Sequence, residues 1–261
     1  MKKPKDNFSD QSAGYNRYRP VYPPELYEFI FSHCSGFQTA LDCATGTGQV
    51  AQILSKQFEQ IYATDISHNQ LNEAYQAPNI RYSIQRAEQT DFADHSFDLI
   101  TAGQAYHWFD FNAFGKEVSR LLKHGGIVAV WTYGLLRLDD VITPLLDSFY
   151  QDVTGPYWDE ERKWVDKGYQ QMPFPFDEIS TNFRFEICSQ FTLAEFEGYL
   201  NTWSGVKHFI KKRGYNPVDQ FIEEIRPLWQ AEFQKVNFPG YLRMGRPLSS
   251  LKSCLTKQNC F

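Results

Sequence analysis

The sequence predicts a doubly wound α/β fold, in which helices cover both faces of a mostly parallel sheet. Short apolar strands alternate with helical segments from residue 39 to residue 132. These strands are nearly continuous apolar runs, as burial of both faces requires. A glycine-containing loop joins the first of them to the following helix. This alternation predicts parallel pairing with right-handed crossovers, and ligands of such sheets bind at the carboxyl ends of the strands.

The strands and helices of this region follow from local patterns. Predicted strands are 39–43, 60–65, 80–85, 97–103 and 125–132, and the predicted helices between them are 48–58, 67–75 and 110–122. Beyond residue 135 we predict helices at 139–153, 192–204 and 217–235 and strands at 183–191 and 237–245. The aromatic and proline-rich segment 156–176 is typical of irregular structure.

Composition excludes several classes of protein. The 261 residues are 42% hydrophobic, and 26 Lys and Arg against 31 Asp and Glu leave a formal net charge of −5. No apolar stretch reaches the roughly 20 residues of a membrane span, and the first residues lack the apolar region of a signal peptide. Without a dense basic run the chain lacks the signature of a nucleic-acid-binding protein. We therefore expect a small-molecule substrate, with neither membrane nor nucleic acid as partner; the oligomeric state is not indicated.

The chain has five cysteines, which are widely spaced and never form a CxxC motif. This usage predicts a reduced, cytoplasmic protein with no metal site. They are Cys34, Cys43, Cys188, Cys254 and Cys260.

The loop after the first predicted strand is the strongest candidate for a ligand site. Residues 46–51 have the spacing GxGxxA, and Asp65 follows Gly46 by 19 residues at the end of the second strand. Glycines let the backbone approach a ligand closely, and an acid at this place suits ribose hydroxyls. The alternative is a tight turn that binds nothing.

Asp42 discriminates between two nucleotide cofactors. It lies at the end of the first strand, four residues before Gly46. Its carboxylate would repel the pyrophosphate of a dinucleotide, whereas it suits S-adenosylmethionine, which carries a sulfonium cation.

The chain here resembles the class I S-adenosylmethionine-dependent methyltransferases with a type 11 methyltransferase domain. Asp42, Gly46 and Gly48 fill the first motif of that family, with Ala44 where many members have a glycine. The resemblance implies that Asp65 binds the ribose and that Ile66 packs on the adenine.

Further segments extend the resemblance. Residues 86–110 and 121–131 are similar to later family motifs, and Ala87 and Glu88 then lie along the adenine. Segments 13–23, 192–206 and 237–246 resemble the subgroup of trans-aconitate-type methyltransferases, which act on small molecules. The implied fold is Rossmann-like, with a seven-stranded sheet whose last strand is antiparallel, an N-terminal lid and C-terminal cap elements.

The implied domain organisation has four parts. Residues 1–36 form a helical lid or extension, and 247–261 form a tail. Residues 37–135 and 177–246 form the methyltransferase core, which the insertion 136–176 interrupts.

Candidate residues for the methyl acceptor follow the fourth strand. His107 could orient or deprotonate an acceptor and Trp108 could wall it, although both could instead pack as an aromatic pair. Gln104, at the strand end, could bind the methionine portion of the cofactor or cap the sheet. No dedicated catalytic residue is predicted, since methyl transfer from sulfur depends chiefly on positioning and exclusion of water.

The flanking segments supply further candidates. Tyr15 and Tyr18 are predicted to cover the substrate as part of the lid, and Arg19 suits a bidentate grip on a carboxylate of the cofactor or substrate. Trp203 is predicted to face the acceptor from a late helix, with core packing as the alternative.

The predicted function is S-adenosylmethionine-dependent methylation of a small molecule, with an organic acid as one candidate acceptor. An NAD(P)-dependent oxidoreductase is the first alternative, and Asp42 opposes it. A non-catalytic S-adenosylmethionine-binding protein is the second.

Overall fold

The computed structural model describes residues 20–248. In this part of the chain eight strands form one sheet. They are β1 (Thr39–Cys43), β2 (Gln60–Asp65), β3 (Ile80–Ile84), β4 (Phe97–Gly103), β5 (Leu122–Tyr133), β6 (Asp177–Glu178), β7 (Arg184–Phe191) and β8 (Gln234–Arg246).

The strand order is β3-β2-β1-β4-β5-β8-β6, with β7 also paired to β8. Strands β1 to β5 pair in parallel, and β8 is antiparallel to β5. The predicted Rossmann-like sheet with an antiparallel last strand is therefore confirmed. The two-residue β6, paired antiparallel to β8, brings the count from seven strands to eight. The order reverses between β1 and β4, which places the ligand-binding crevice of such a sheet at their carboxyl ends.

One of the described α-helices precedes β1, and the other eight lie between strands. Short 3₁₀ turns at 106–108, 155–157 and 226–228 and a π-helical turn at 149–153 supplement them. The α-helices are α1 (Pro24–Phe31), α2 (Gln49–Leu54), α3 (His68–Asn72), α4 (Phe111–Leu121), α5 (Ile142–Ser148), α6 (Arg162–Asp166), α7 (Leu193–Asn201), α8 (Ser204–Arg213) and α9 (Pro217–Ile225).

Two predicted elements were wrong in extent. The helix expected over 217–235 ends at Ile225, because Pro227 lacks the amide proton that would continue it and its ring clashes with the preceding turn. The segment 156–176, expected to be irregular, contains the five-residue helix α6. Helix α8 was not predicted; it ends at Gly214, whose φ of 82° supplies the left-handed C-terminal residue.

Apolar residues pack on both faces of the sheet. In β5, Ile127, Ala129 and Trp131 belong to one buried cluster, and Val128 and Val130 belong to the other. This alternation has the period of two that a strand imposes. The first cluster includes side chains of α1, α2 and α7 to α9, and the second includes those of α4 and α6. The helices therefore cover both faces, as predicted.

The segment 136–176 is part of both clusters. Its first half contributes Ile142, Leu146 and Phe149 to the first cluster, and its second half contributes Val165 and Tyr169 to the second. It is therefore packed into the core. Among residues 20–248, no helix combines the length and apolarity that crossing a bilayer requires.

Candidate functional site

The loop between β1 and α2 has an unusual backbone. Ala44, Gly46 and Gly48 have φ values of 52°, 57° and 80°, which place all three in the left-handed region. Glycine adopts this region at no steric cost, whereas a residue with a Cβ does not. At Gly48 a Cβ would also overlap the phenol of Tyr82. The turn lets α2 begin close to the end of β1.

Gly46→Ala is expected to lower the free energy of unfolding by about 1–2 kcal/mol. A Cβ at this position would meet nothing closer than Gln70 Oε1 at 3.6 Å, so the penalty is conformational rather than steric. Urea denaturation of the two proteins measures it. Ala44→Gly is the matched control: it removes a Cβ from the same region and is expected not to destabilise. An unchanged urea midpoint for Gly46→Ala would contradict the strained geometry.

Asp65 fixes this loop from the neighbouring strand. Its Oδ2 accepts a hydrogen bond from Gly46 N–H at 2.9 Å, and its Oδ1 accepts one from Ser67 N–H at 2.9 Å. Asp65 therefore holds the loop in place from the strand end where the sequence predicted it.

Asp42 is a buried acid at the end of β1. Its carboxylate accepts hydrogen bonds from Thr45 Oγ1 at 2.5 Å and from Thr101 Oγ1 at 2.8 Å. Burial raises the pKa of Asp42 to about 7, although these two hydrogen bonds oppose the rise. Among residues 20–248, no lysine or arginine forms an ion pair with it. A carboxylate in this state favours a cationic ligand.

A cavity of about 410 Å³ lies at the carboxyl ends of β1, β2, β3 and β4. The predicted residues that line it come from four separate loops, and the tertiary structure brings them together. They are Asp42, Gly46, Asp65, Ile66, Ala87, Glu88, Gln104 and Trp108.

The same cavity contains residues that sequence reasoning missed. Tyr22 and Tyr27 reach it from the segment before β1, whereas Ser67 and Gln85 directly follow β2 and β3. The position of the last two after strand ends was a usable signal. Tyr22 lies in the segment 13–23 whose resemblance to the family was a usable signal, whereas Tyr27 had none, because its contact with the cavity depends on how α1 packs. Gly48 does not line this cavity and acts instead as the N-cap of α2.

Glu88 and Gln104 have structural partners. Glu88 accepts a hydrogen bond from Asp110 N–H at 3.0 Å and lies 3.3 Å from Arg86 Nε. The amide oxygen of Gln104 accepts hydrogen bonds from Thr132 Oγ1 at 2.6 Å and Tyr133 N–H at 2.9 Å. Gln104 therefore caps β5, the second of the two predicted roles. A contact with the cofactor stays a prediction.

A smaller cavity of about 80 Å³ adjoins the first. Gln104 and Trp108 line both cavities and form their common wall. Four parts of the chain supply the rest of the smaller cavity: the 3₁₀ turn after β4, the end of β5, the segment 136–176 and residues 199–204, where α7 is followed by α8. Its other lining residues are His107, Tyr133, Trp158, Asp159, Arg162, Tyr199, Thr202, Trp203 and Ser204.

His107 is buried at the edge of this smaller cavity. Its Nδ1 lies 2.7 Å from the phenol oxygen of Tyr169, which is fully buried. Burial raises the pKa of Tyr169, so the phenol stays protonated at neutral pH. Tyr169 thus holds the imidazole ring in one orientation. Sequence reasoning found His107 and missed Tyr169, because their contact spans 62 positions.

Trp108 and Trp203 also lie at the smaller cavity. Trp203 is buried among aromatic rings, with Trp158 at a centroid distance of 5.5 Å and Tyr199 at 5.9 Å. Both alternatives for Trp203, core packing and a place at the acceptor site, are therefore compatible with its position. Tyr15, Tyr18 and Arg19, like the tail from residue 249 with Cys254 and Cys260, lie outside the described residues.

Comparisons with known proteins show that this chain is similar to methyltransferases. Residues 41–130 match the family described as a methyltransferase domain. A protein of Dictyostelium discoideum named as a methyltransferase is 30% identical over 250 residues, which cover 92% of this chain and 95% of the relative. A protein of Schizosaccharomyces pombe named as an uncharacterized methyltransferase is 31% identical over 231 residues, covering 84% of this chain and 88% of the relative.

A solved structure named as a type II methyltransferase, from Anaeromyxobacter dehalogenans, superposes with a TM-score of 0.81. Its sequence is 33% identical, and the superposition covers 88% of this chain and 99% of the solved chain. The fold, the glycine loop and the acid at the end of β2 define a Rossmann-like enzyme with a nucleotide cofactor. The chain belongs to the class I S-adenosylmethionine-dependent methyltransferases. Membership of the trans-aconitate-type subgroup stays a prediction.

Proposed function

We propose that this methyltransferase transfers the methyl group to a small organic acid bound in the smaller cavity. One observation carries the proposal: two cavities adjoin, and Gln104 and Trp108 line both of them. A cofactor in the larger cavity and an acceptor in the smaller one would meet beside these two side chains, and such proximity supplies much of the rate enhancement in displacement reactions.

The residues of the larger cavity fit S-adenosylmethionine. The carboxylate of Asp65 lines the cavity where ribose hydroxyls would lie, Ile66 offers an exposed apolar face for the adenine, and Ala87 and Glu88 border the same region. In its ionised form Asp42 supplies a negative charge suited to a cation. When bound, the cofactor supplies an electrophilic methyl group on a sulfonium sulfur.

The acceptor side needs orientation more than acid–base chemistry. A carboxylate is already ionised at neutral pH and needs no base. A hydroxyl or amine acceptor would need one, and His107, oriented by Tyr169, is the imidazole at this cavity. Trp108 and Trp203 would exclude water from the acceptor site. We further propose that Tyr15, Tyr18 and Arg19 form a lid over the two ligands.

Other parts of the prediction are carried forward as proposals. They are a core of 37–135 and 177–246 interrupted by 136–176, a lid or extension at 1–36, a tail at 247–261, a cytoplasmic location and a substrate that is not a nucleic acid.

Thermal unfolding with excess ligand tests the cofactor part of this proposal. S-adenosylmethionine or S-adenosylhomocysteine at about 100 times its dissociation constant is expected to add about 2.7 kcal/mol. For a domain of this size the midpoint then rises by about 5–10 °C. NAD and NADP are expected to produce no shift, because Asp42 repels the pyrophosphate. A shift with NAD or NADP alone would contradict the assignment and support the oxidoreductase.

A further inference from the structure

Arg162 supplies the smaller cavity with a guanidinium group that is anchored at one side and open at the other. Its Nε donates to the phenol oxygen of Tyr150 at 2.7 Å and to Asp166 Oδ1 at 3.2 Å. Its guanidinium carbon lies 4.8 Å from the ring centroid of Trp158. Within residues 20–248 the two terminal nitrogens donate to no group. The edge that binds carboxylates bidentately is therefore held in place and available.

Trp158 fixes the position of this guanidinium. The indole ring lines the same cavity and is held against Gly205, where a Cβ would come within 2.8 Å of Trp158 Cδ2. The ring therefore supports the cation that stacks on it and leaves the carboxylate-binding edge of Arg162 in one place.

Two other basic side chains, Arg243 and His208, have partners elsewhere. Arg243 donates to both carboxylate oxygens of Glu178 and to the backbone carbonyls of Tyr169 and Met172. His208 Nδ1 bonds the carbonyl of Tyr157. Among the described residues that line the smaller cavity, Arg162 is the one lysine or arginine. One carboxylate, Asp159, lines it too.

Much of the remaining wall of the smaller cavity is aromatic, and Gln104, Thr202 and Ser204 add polar groups. Aromatic side chains favour an aromatic ligand, since stacked and edge-on ring contacts are favourable. The five rings are those of Trp108, Tyr133, Trp158, Tyr199 and Trp203.

We propose that Arg162 is a specificity-determining residue that binds the carboxylate of a small aromatic acid. The aromatic ring of this acid lies among the tryptophans of the smaller cavity. Arg162 does not line the larger cavity, so the bound carboxylate lies at the end away from the cofactor. The methyl acceptor of this acid is therefore a second group, a hydroxyl or an amine, for which His107 is the candidate base. This inference rests on the proposed function, because it assigns the smaller cavity to the acceptor.

Calorimetric titration with benzoate and benzamide tests the proposal on the enzyme loaded with S-adenosylhomocysteine. The two probes have nearly the same shape and differ in charge. We expect the wild-type protein to bind benzoate at least about tenfold more tightly than benzamide, and Arg162→Gln to lose about 10- to 100-fold of the benzoate affinity, the range of a charge-assisted hydrogen-bonded pair. Benzamide affinity is expected to change little.

Two further variants serve as controls. Arg137→Gln removes a guanidinium that pairs with Asp147 and lines neither cavity, and is expected to leave benzoate binding unchanged. Arg162→Lys keeps the charge and removes the planar edge, so it is expected to restore only part of the affinity.

The outcomes separate this inference from the proposed function. Binding of S-adenosylhomocysteine is measured first, and its absence from the wild-type protein would overturn the proposed function. If S-adenosylhomocysteine binds but wild type does not prefer benzoate to benzamide, the role of Arg162 is overturned, whether or not the variant folds. Equal benzoate affinity of wild type and a folded Arg162→Gln protein would overturn it as well.

Discussion

Asp65→Ala is expected to weaken S-adenosylmethionine binding by at least about 100-fold. The substitution removes the proposed acceptor for two ribose hydroxyls, and each hydrogen bond to a charged group contributes about 1.5–3 kcal/mol. It also releases Gly46 N–H and Ser67 N–H, which Asp65 holds at 2.9 Å each. The loop that borders the cofactor then loses its anchor, so the effect on affinity combines direct and indirect parts.

Isothermal titration of both proteins with S-adenosylmethionine measures this loss. Asp65→Asn separates the two parts, since it keeps one acceptor oxygen and we expect an intermediate affinity. Asp94→Ala is the matched control, because Asp94 pairs with Arg120 on the surface and lines neither cavity. If Asp65→Ala binds as tightly as wild type, the ribose role of Asp65 is wrong.

Cofactor affinity is expected to rise with pH because of Asp42. Burial raises the pKa of this carboxyl to about 7, and only its ionised form attracts a cation. S-adenosylmethionine affinity is therefore expected to be about tenfold lower at pH 6 than at pH 8, since at pH 6 about a tenth of the carboxyl is ionised. Asp42→Asn is expected to bind weakly at both pH values and to lose this dependence. A variant that keeps the wild-type pH profile would contradict the role of Asp42.

The same pKa predicts how the ligand-free protein responds to pH. Below the unfolded pKa of 3.8 the carboxyl is neutral in both states. Between 3.8 and about 7 it ionises only in the unfolded state, so its contribution lowers the free energy of unfolding as pH rises. Above about pH 7 the carboxyl is ionised in both states, so its contribution to the free energy of unfolding no longer changes with pH. At pH 8 Asp42→Asn is therefore expected to be more stable than wild type, by up to about 4 kcal/mol. Denaturant unfolding at pH 5 and pH 8 measures the difference.

Most of the residues that line the larger cavity could be predicted, because they lie at the ends of parallel strands. Asp42, Gly46 and Asp65 are placed by local patterns, namely an apolar run, a glycine spacing and an acid at a strand end. Parallel strands bring their carboxyl ends to one edge of the sheet, so sequence position alone indicates proximity. Tyr27 was missed, because its helix lies before the first strand and its contact depends on packing.

The lining of the smaller cavity could be predicted only in part. His107 and Trp108 follow β4 directly and were found for that reason. Arg162 and Tyr169 were not, because they lie in the segment 156–176, whose prolines and aromatic residues have neither the helical nor the strand period. Their places are decided by long-range packing, such as that of Tyr169 against His107.

The sequence by itself therefore determined the sheet, the class of cofactor and the edge of the sheet where the larger cavity lies, since periodicity, glycine spacing and the charge of Asp42 are local properties. The tertiary structure alone decided that a second cavity exists and which side chains surround it. The physical reason is that this cavity is enclosed by segments far apart in the chain, such as those that contain His107, Arg162 and Trp203. Contacts between such segments depend on how apolar surfaces fit together, and no local pattern records that fit.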